Sequence, residues 1–305
     1  PQLNDKETFL KQANATGNLT QYITSIVTVG EQFEVLIEEP NIAQKTKRTI
    51  NTGEMLDIIS KNRLGEKRTT YVVDEADFIA GNPELHDVIS ENFEDGLIYR
   101  TFGTRLSIDP LTKTISIIQG SPTDWLLFYN ISLENWAIVF DGKIPEMSSD
   151  QKQRFNSYGV TGCLNLYNTK LSKVKINITN GQCEDSLNIV NSLGTITSLS
   201  VTNSYADAVD MDFSEISIDK LNVVNAGNDC FDVSGGVYSL NVAQTEKCND
   251  KGFSIGEKSK VEINSAEVIG AAIGVSVKDS SFSKINFLKT LKTKTCIEGL
   301  NKKQE

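Results

Sequence analysis

The chain has 305 residues, of which 39% are hydrophobic, so it is long enough to bury one large core or two modest ones. Its 30 Lys and Arg residues are outnumbered by 40 Asp and Glu residues, which gives a formal net charge of −10. An acidic chain repels the phosphate backbone, so nucleic acid is not expected as a partner. No apolar run approaches the roughly 20 residues that a bilayer span requires, so no membrane span is expected either.

Residues 1–98 mix helix-like stretches, such as Glu54–Lys61, with strand-like ones, such as Phe33–Ile37 and Thr69–Val73. This mixture predicts a small N-terminal α+β cap, with a separate binding or assembly module as the alternative. Short, less regular strands follow between residues 106 and 140. The polar stretch Asp141–Tyr158 contains Pro145 and several charges, which is typical of a surface loop.

From about residue 162, an alternating pattern recurs about every 22 residues. The spacings are 23, 22, 22, 22 and 22 residues for the apolar positions Leu166, Ile189, Met211, Val233, Ile255 and Val277. Another apolar residue stands two positions before each of them, and a polar residue lies between, as in a β-strand. Helical solenoids need apolar residues three and four positions apart, and they are excluded.

A second alternating segment follows in each unit, from Val174–Ile176 to Ile285–Phe287, with a spacing that varies by a few residues. We interpret this variation as turns of unequal length between strands that keep their register. One unit cannot bury its own apolar side, so the units must stack, each pairing in parallel with the next. The predicted fold class is all-β: a right-handed parallel β-helix over residues 99–305, with the α+β cap covering the open strand edges at its start.

Three asparagines also follow the period. Asn180, Asn203 and Asn225 are separated by 23 and 22 residues. We expect them at equivalent turns that need a left-handed residue, with their amides hydrogen-bonded from coil to coil.

The repeat resembles the right-handed parallel β-helix proteins of the pectin-lyase-like superfold. The segments Cys183–Ser186, Gly227–Gly236 and Asp250–Ser259 look more narrowly like exported bacterial β-helix proteins associated with CotH-type or surface-polysaccharide loci. The resemblance implies a secreted or cell-surface protein and polysaccharide as the leading ligand. In such proteins the coil continues beyond a run like Lys302–Glu305, so the helix is expected to be truncated at its C-terminal end.

The five cysteines show no close Cys-x-x-Cys pair, so a zinc site formed by sulfur is not expected. We expect small buried core residues, with a bridge between Cys163 and Cys183 as the alternative. Trp125 and Trp136 are expected in the packing of the coils rather than as a platform for sugar.

Carboxylates recur in the coils at the same period. Asp185, Asp207 and Asp229 are 22 residues apart, as are Asp210 and Asp232. Neighbouring coils are about 4.8 Å apart, and two carboxylates at that distance repel by about 3 to 4 kcal/mol at an effective dielectric constant near 20. The compensation could come from a calcium ion at Asp210 and Asp232, from Asn188 or Asn228, from Lys251, or from a raised pKa.

These residues are the candidate site. Glycosidases use two carboxyl groups, so Asp207, Asp210, Asp229 and Asp232 are the candidate catalytic acids, together with Lys251. Glu184, Asp185, Asn188 and Asn228 are candidates for substrate binding. The alternative is structural, because an outward residue on a strand must be polar and Asp forms local hydrogen bonds at turns.

The motifs of the polygalacturonases within the superfold are present only in fragments. The sole histidine, His86, lies before the coils, and no Gly-His-Gly or Arg-x-Lys sequence occurs. A lyase of the pectate-lyase kind would use calcium bound by aspartates and a basic residue, and Lys251 is the base near the acids. We therefore predict an extracytoplasmic polysaccharide-processing or polysaccharide-binding protein. The alternative is a non-catalytic component of a cell envelope, spore coat or virion surface.

Overall fold

The computed structural model describes residues 88–144 and 160–302, and the backbone of residues 28–29, 32–33 and 47–49. Every regular element among these residues is a β-strand. The first ten strands are β1 (Thr28–Val29), β2 (Gln32–Phe33), β3 (Lys47–Thr49), β4 (Val88–Phe93), β5 (Gly96–Thr101), β6 (Arg105–Asp109), β7 (Thr114–Ile118), β8 (Leu126–Tyr129), β9 (Ser132–Glu134) and β10 (Ala137–Asp141). The others are β11 (Gly162–Tyr167), β12 (Lys170–Thr179), β13 (Asp185–Val190), β14 (Leu193–Ser204), β15 (Asp207–Asp212), β16 (Glu215–Ala226), β17 (Phe231–Ser234), β18 (Val237–Gly256), β19 (Lys260–Lys278), β20 (Phe282–Leu291) and β21 (Thr295–Leu300).

The chain divides into two compact units, Pro1–Glu91 with Phe155–Val160 and Asn92–Arg154 with Thr161–Glu305. In the first unit, β1 pairs antiparallel with β2, and β3 pairs antiparallel with residues 89–91. The helix-like stretches expected in the cap, and most of the loop expected at 141–158, lie outside the described residues. The predicted domain boundary at residue 98 stays a prediction.

The second unit is a parallel β-helix of about eight turns, as the repeat predicted. Its coils form three faces of parallel strands. Face A contains β8, β11, β13, β15, β17, the last segments of β18 and β19, and β21. Face B contains β9 and the first segments of β12, β14, β16, β18, β19 and β20, and face C contains β7, β10 and the later segments of the same six strands.

The apolar repeat forms one interior column, which confirms the predicted register. Ile189 is paired with Met211, Met211 with Val233, and Val233 with Ile255 on face A. All four side chains are fully buried in one continuous core. Fully burying such a side chain contributes about 1.5 to 3 kcal/mol, so each residue of the column adds about that much to the stability of the stack.

The second alternating segment was misinterpreted. Leu221 lies on face C, where it is paired with Ala243, whereas Leu240 lies on face B, where it is paired with Ile218 and Ile263. The variable spacing in the sequence therefore came from mixing positions of two faces. Within each face the coils keep a nearly constant repeat. Turns of unequal length are therefore not the cause of the variable spacing.

The asparagine turns are confirmed. Asn180, Asn203 and Asn225 have φ values of 59°, 61° and 64°. Asn225 Nδ2 donates to Asn203 Oδ1 at 2.9 Å, and Asn203 Nδ2 donates to Asn180 Oδ1 at 3.2 Å. Asparagine adopts the left-handed backbone at lower cost than most residues, and the ladder also gives each of these amides a hydrogen-bond partner.

The strand edge of the first coil is covered within the same unit. β5 pairs antiparallel with β8, and β6 pairs antiparallel with β7. Pairing of this kind removes an exposed edge that could otherwise recruit another chain. Trp125 and Trp136 are both buried in this region, as expected for residues that pack the coils.

Two disulfides fasten the coils. Cys163 is bonded to Cys183, and Cys230 is bonded to Cys248, with sequence separations of 20 and 18 residues. The expectation of unpaired core cysteines is wrong for these four, and the alternative bridge between Cys163 and Cys183 is confirmed. Cys296 is free and exposed. Each bridge joins the start of a face A strand to a position nearly one coil later, where the chain has returned to the same side of the helix.

Candidate functional site

The predicted acids meet at the start of the face A strands. Asp207 begins β15, Asp229 lies just before β17, and Lys251 takes the equivalent position in the next coil, within β18. Asp207 Oδ1 accepts the backbone N–H of Asp229 at 2.8 Å, and Asp229 Oδ1 accepts the backbone N–H of Lys251 at 2.9 Å. Each carboxylate thus binds the main chain of the following coil.

Both carboxyl groups are buried, which sets their protonation. Asp207 is 8% exposed and Asp229 is 3% exposed. Burial, together with the negative charges of Asp229 and Asp232, raises the pKa of Asp207 from 3.8 to about 7. Burial and the charge of Asp232 also raise the pKa of Asp229, although Lys251 opposes that rise. Asp207 is therefore the carboxyl group of the site that can hold a proton near neutral pH.

Lys251 supplies a positive charge to the site. Its Nζ lies 3.4 Å from Asp229 Oδ1 and also donates to Asp250 Oδ2. Burial lowers the pKa of Lys251, but its hydrogen bond to Asp250 and the charge of Asp229 outweigh that effect and raise it. The ammonium group thus stays charged. It partly neutralises the acidic cluster, which is formed by Asp207, Asp210, Asp229, Asp232 and Asp250.

A second polar column runs beside the first along face A. Asn188, Asp210, Asp232 and Ser254 occupy paired positions on successive coils. Asp210 and Asp232 are partly exposed, whereas Asn188 and Ser254 are fully buried. Solvent access to the cluster is therefore best at Asp210 and Asp232, which lie on neighbouring strands.

The residues predicted to bind substrate have different environments. Asn228 is partly exposed and donates to Asp207 Oδ1 at 2.7 Å. Asn188 accepts from the Tyr167 hydroxyl at 2.8 Å and donates to Asp210 Oδ2 at 3.2 Å. Both amides orient carboxylates of the cluster.

Glu184 and Asp185 lie one coil earlier. The Glu184 carbonyl accepts the backbone N–H of Asp207 at 2.8 Å, and Glu184 is partly exposed. Asp185 is buried and is paired with Asp207 on the neighbouring strand. Substrate binding by Glu184 and Asp185 stays a prediction.

Two members of the cluster were missed in the sequence. Asp250 holds the Lys251 ammonium group, and Lys278 is nearly buried with its Nζ donating to Ser254 Oγ at 2.7 Å. The signal was present for Lys278, because it stands two residues after Ser276, which is paired with Ser254 on the adjacent strand. Period-two alternation places its side chain on the same outer side of face A.

The calcium site expected at Asp210 and Asp232 stays a prediction. Among residues 88–144 and 160–302, no group of three or more His, Cys, Asp and Glu side chains could hold a metal ion. Asp210 and Asp232 are paired neighbours, yet two carboxylates supply only part of the six to eight oxygen ligands that calcium takes. His86 lies outside the described residues.

Comparisons with known proteins do not assign a family. No protein-family model matches the chain, and no solved structure matches it. The chain is similar to ribose-phosphate pyrophosphokinase 1 of Schizosaccharomyces pombe, at 28% identity over 132 residues. That stretch is 42% of this chain and 32% of the enzyme, so the match spans about a third of the enzyme's length.

Two further observations concern membrane helices and disulfide bonds. No helix among the described residues has the length and apolar character needed to cross a membrane. The two disulfides are typical of proteins that fold in an oxidising compartment, such as the cell exterior.

Proposed function

We propose that this protein is a secreted or cell-surface polysaccharide-processing protein that binds glycan on the outside of its coils and cleaves glycosidic bonds at the acidic cluster of face A. The observation that supports it best is the contrast among the carboxyl groups of that cluster. Asp207 is buried with a pKa of about 7, while Asp210 and Asp232 on the adjoining column reach solvent. Carboxyl groups in such different environments are what acid and base roles in glycoside cleavage require.

The roles follow from the contacts. Asp207 carries the proton that a departing sugar oxygen needs, and Asn228 fixes the orientation of its carboxyl group through the hydrogen bond to Oδ1. Asp210 or Asp232 supplies the carboxylate that activates water or attacks the sugar. Lys251 limits the charge of Asp229, which would otherwise add to the repulsion within the cluster.

Location outside the cytoplasm is supported by the two disulfides, because such bonds persist mainly in oxidising compartments. The stack of coils also presents polar side chains at regular intervals, which suits a polymer with a regular repeat. Fold alone does not set function, so the proposal depends on the cluster rather than on the β-helix.

Release of reducing ends from a panel of neutral and acidic polysaccharides tests the proposal. We expect cleavage by the full chain, and a loss of at least about a hundredfold in Asp207→Asn and in either Asp210→Asn or Asp232→Asn. Glu215→Gln, an exposed change in the same coil, is the matched control and should retain activity. Cleavage should also decline above pH 7, as Asp207 loses its proton.

A second function is favoured by one observation. The carboxylates of Asp207 and Asp229 each accept a backbone N–H from the next coil, as they would if the acids only held the coils together. In that case the protein is a non-catalytic component of an envelope, coat or virion surface. Absence of cleavage on every glycan, together with loss of stability when alanine removes the acceptor at Asp207 or Asp229, would favour this alternative.

A further inference from the structure

A groove lies on a different part of the coils, where each strand passes from face B to face C. Strand pairing there skips one residue per coil, for example between the pairs Ile218–Leu240 and Lys220–Val242, because the chain bends. The groove has a volume of about 480 Å³ and crosses six successive coils from Lys173 to Asn286. At about 4.8 Å per coil, six coils place its ends about 24 Å apart.

Two polar columns line the groove. The bend residues form a second ladder, in which Asn241 Nδ2 donates to Asp219 Oδ1 at 2.8 Å and Asn264 Nδ2 donates to Asn241 Oδ1 at 3.1 Å. Asn286 continues the ladder, with its Nδ2 donating to Asn264 Oδ1 at 3.3 Å. In the column on the face B side, Ser239 Oγ donates to Ser217 Oγ at 2.7 Å.

The ladder leaves hydrogen-bonding capacity directed at the groove. A side-chain amide has two N–H donors and an oxygen with two lone pairs. Asn241 and Asn264 each use one donor and accept one hydrogen bond within the ladder. Each therefore retains one N–H and one lone pair, and both side chains are exposed. A ligand with hydroxyl groups, which both donate and accept, matches this pair on the coils of Asn241 and Asn264.

The charges along the groove balance. Lys173 and Lys284 are opposed by Asp219 and Glu262, and Lys284 Nζ lies 3.9 Å from Glu262 Oε2. The chain as a whole has a net charge of −10. A surface that is locally neutral on an acidic protein has no excess of cations to attract an acidic polymer, so it fits an uncharged one.

Between the two polar columns, the side chains of Ile218 and Leu240 point into the buried core, so the strand backbone forms the floor of the groove. A sugar chain lying over this floor can hydrogen-bond through its hydroxyl groups to the exposed polar side chains of the columns on either side. One sugar in an extended chain is about as long as the rise of one coil.

From these observations we propose that the groove between faces B and C binds a neutral glycan chain lying parallel to the axis of the β-helix, with one sugar per coil and up to six sugars in all. This inference rests on the proposed function for its ligand class, and it assigns binding to a surface other than the acidic cluster.

The test uses the full chain and four hexasaccharides: cellohexaose, laminarihexaose, mannohexaose and hexagalacturonate. Binding is measured by titration calorimetry. Ser239→Trp fills the groove, and Gln244→Trp places the same side chain on the exposed part of face C in the same strand, as the matched control. We expect a neutral hexasaccharide to bind, with an affinity reduced at least about tenfold by Ser239→Trp and unchanged by Gln244→Trp.

A second measurement needs no variant. The affinity for the bound neutral sugar should increase from the trisaccharide to the hexasaccharide and then stop increasing, because the groove ends after six coils. Equal affinity for the trisaccharide and the hexasaccharide would overturn the inference.

The other outcomes separate the two proposals. Binding that survives Ser239→Trp but is lost in Asp210→Asn would place the ligand at the acidic cluster, which removes the groove inference and keeps the proposed function. Binding of hexagalacturonate in place of the neutral sugars would refute the neutral class. If none of the four hexasaccharides binds, the groove inference fails, and the cleavage assay on the polysaccharide panel decides the proposed function separately.

Discussion

The buried carboxyl group of Asp207 should make the stability of the protein depend on pH in a defined way. Its pKa is about 7 in the folded chain against an ordinary value of 3.8, because it is buried beside other carboxylates. The folded chain therefore binds this proton more tightly than the unfolded chain does. The stability associated with the group is complete below about pH 4, decreases as the pH rises towards 7, and is constant above that.

The magnitude follows from the two pKa values. A difference of about three pH units, at about 1.4 kcal/mol each, corresponds to about 4 kcal/mol between pH 4 and pH 8. Asp207→Asn removes the ionisation and keeps an oxygen that can accept the backbone N–H of Asp229. The variant should therefore match the natural protein at pH 4 and exceed it in free energy of unfolding by up to about 4 kcal/mol at pH 8.

Urea unfolding followed by fluorescence, at several pH values and constant ionic strength, measures this difference. Asp219→Asn, which changes an exposed carboxylate at the bend between faces B and C, is the control and should show a constant difference from the natural protein. If the curves for Asp207→Asn and the natural protein remain parallel from pH 4 to pH 8, the assignment of a buried, proton-holding Asp207 is refuted.

Three further predictions concern the coils. Lys251→Met leaves the buried Asp229 without its cation and should cost about 3 kcal/mol at pH 8 and less at pH 5, measured by urea unfolding; an equal cost at both pH values would argue against the ion pair. Replacing Cys230 and Cys248 by serine opens a loop of 18 residues and should lower stability by about 3 kcal/mol in thermal or urea melts, whereas an unchanged melt would show that the bond is not formed. Asn203→Ala should destabilise by about 1 to 2 kcal/mol and Asn203→Gly by less, since glycine accepts the left-handed backbone; the reverse order would contradict the turn assignment.

The architecture was predictable because one signal repeats many times. Alternation every second residue and recurrence every 22 residues placed Ile189, Met211 and Val233 in one column, and the structure pairs them as expected. The bend between faces B and C has no comparable repeated signal in the sequence. Apolar residues alternate on both sides of it, so Leu221 and Leu240 looked equivalent although they lie on different faces.

The candidate site was predictable in part for the same reason. The period brought Asp207 next to Asp229, and Asp210 next to Asp232, on adjacent coils. The 22-residue period does not reveal how exposed each side chain is. The contrast between the buried Asp207 and the partly exposed Asp210 therefore could not be predicted from the sequence. The disulfide between Cys230 and Cys248 could have been found, since 18 residues is nearly one coil and returns the chain to its starting side.

The central claim is that like positions on successive coils combine into surfaces that bind glycan. Titrating the isotope-labelled protein with a neutral hexasaccharide and following backbone amide signals by NMR tests it most directly. We expect shifts that recur every 22 or 23 residues, at 217–219, 239–241 and 262–264 in the groove or at 207–210 and 229–232 in the acidic cluster. Shifts confined to one continuous stretch of the chain, or no shifts with any glycan, would contradict it.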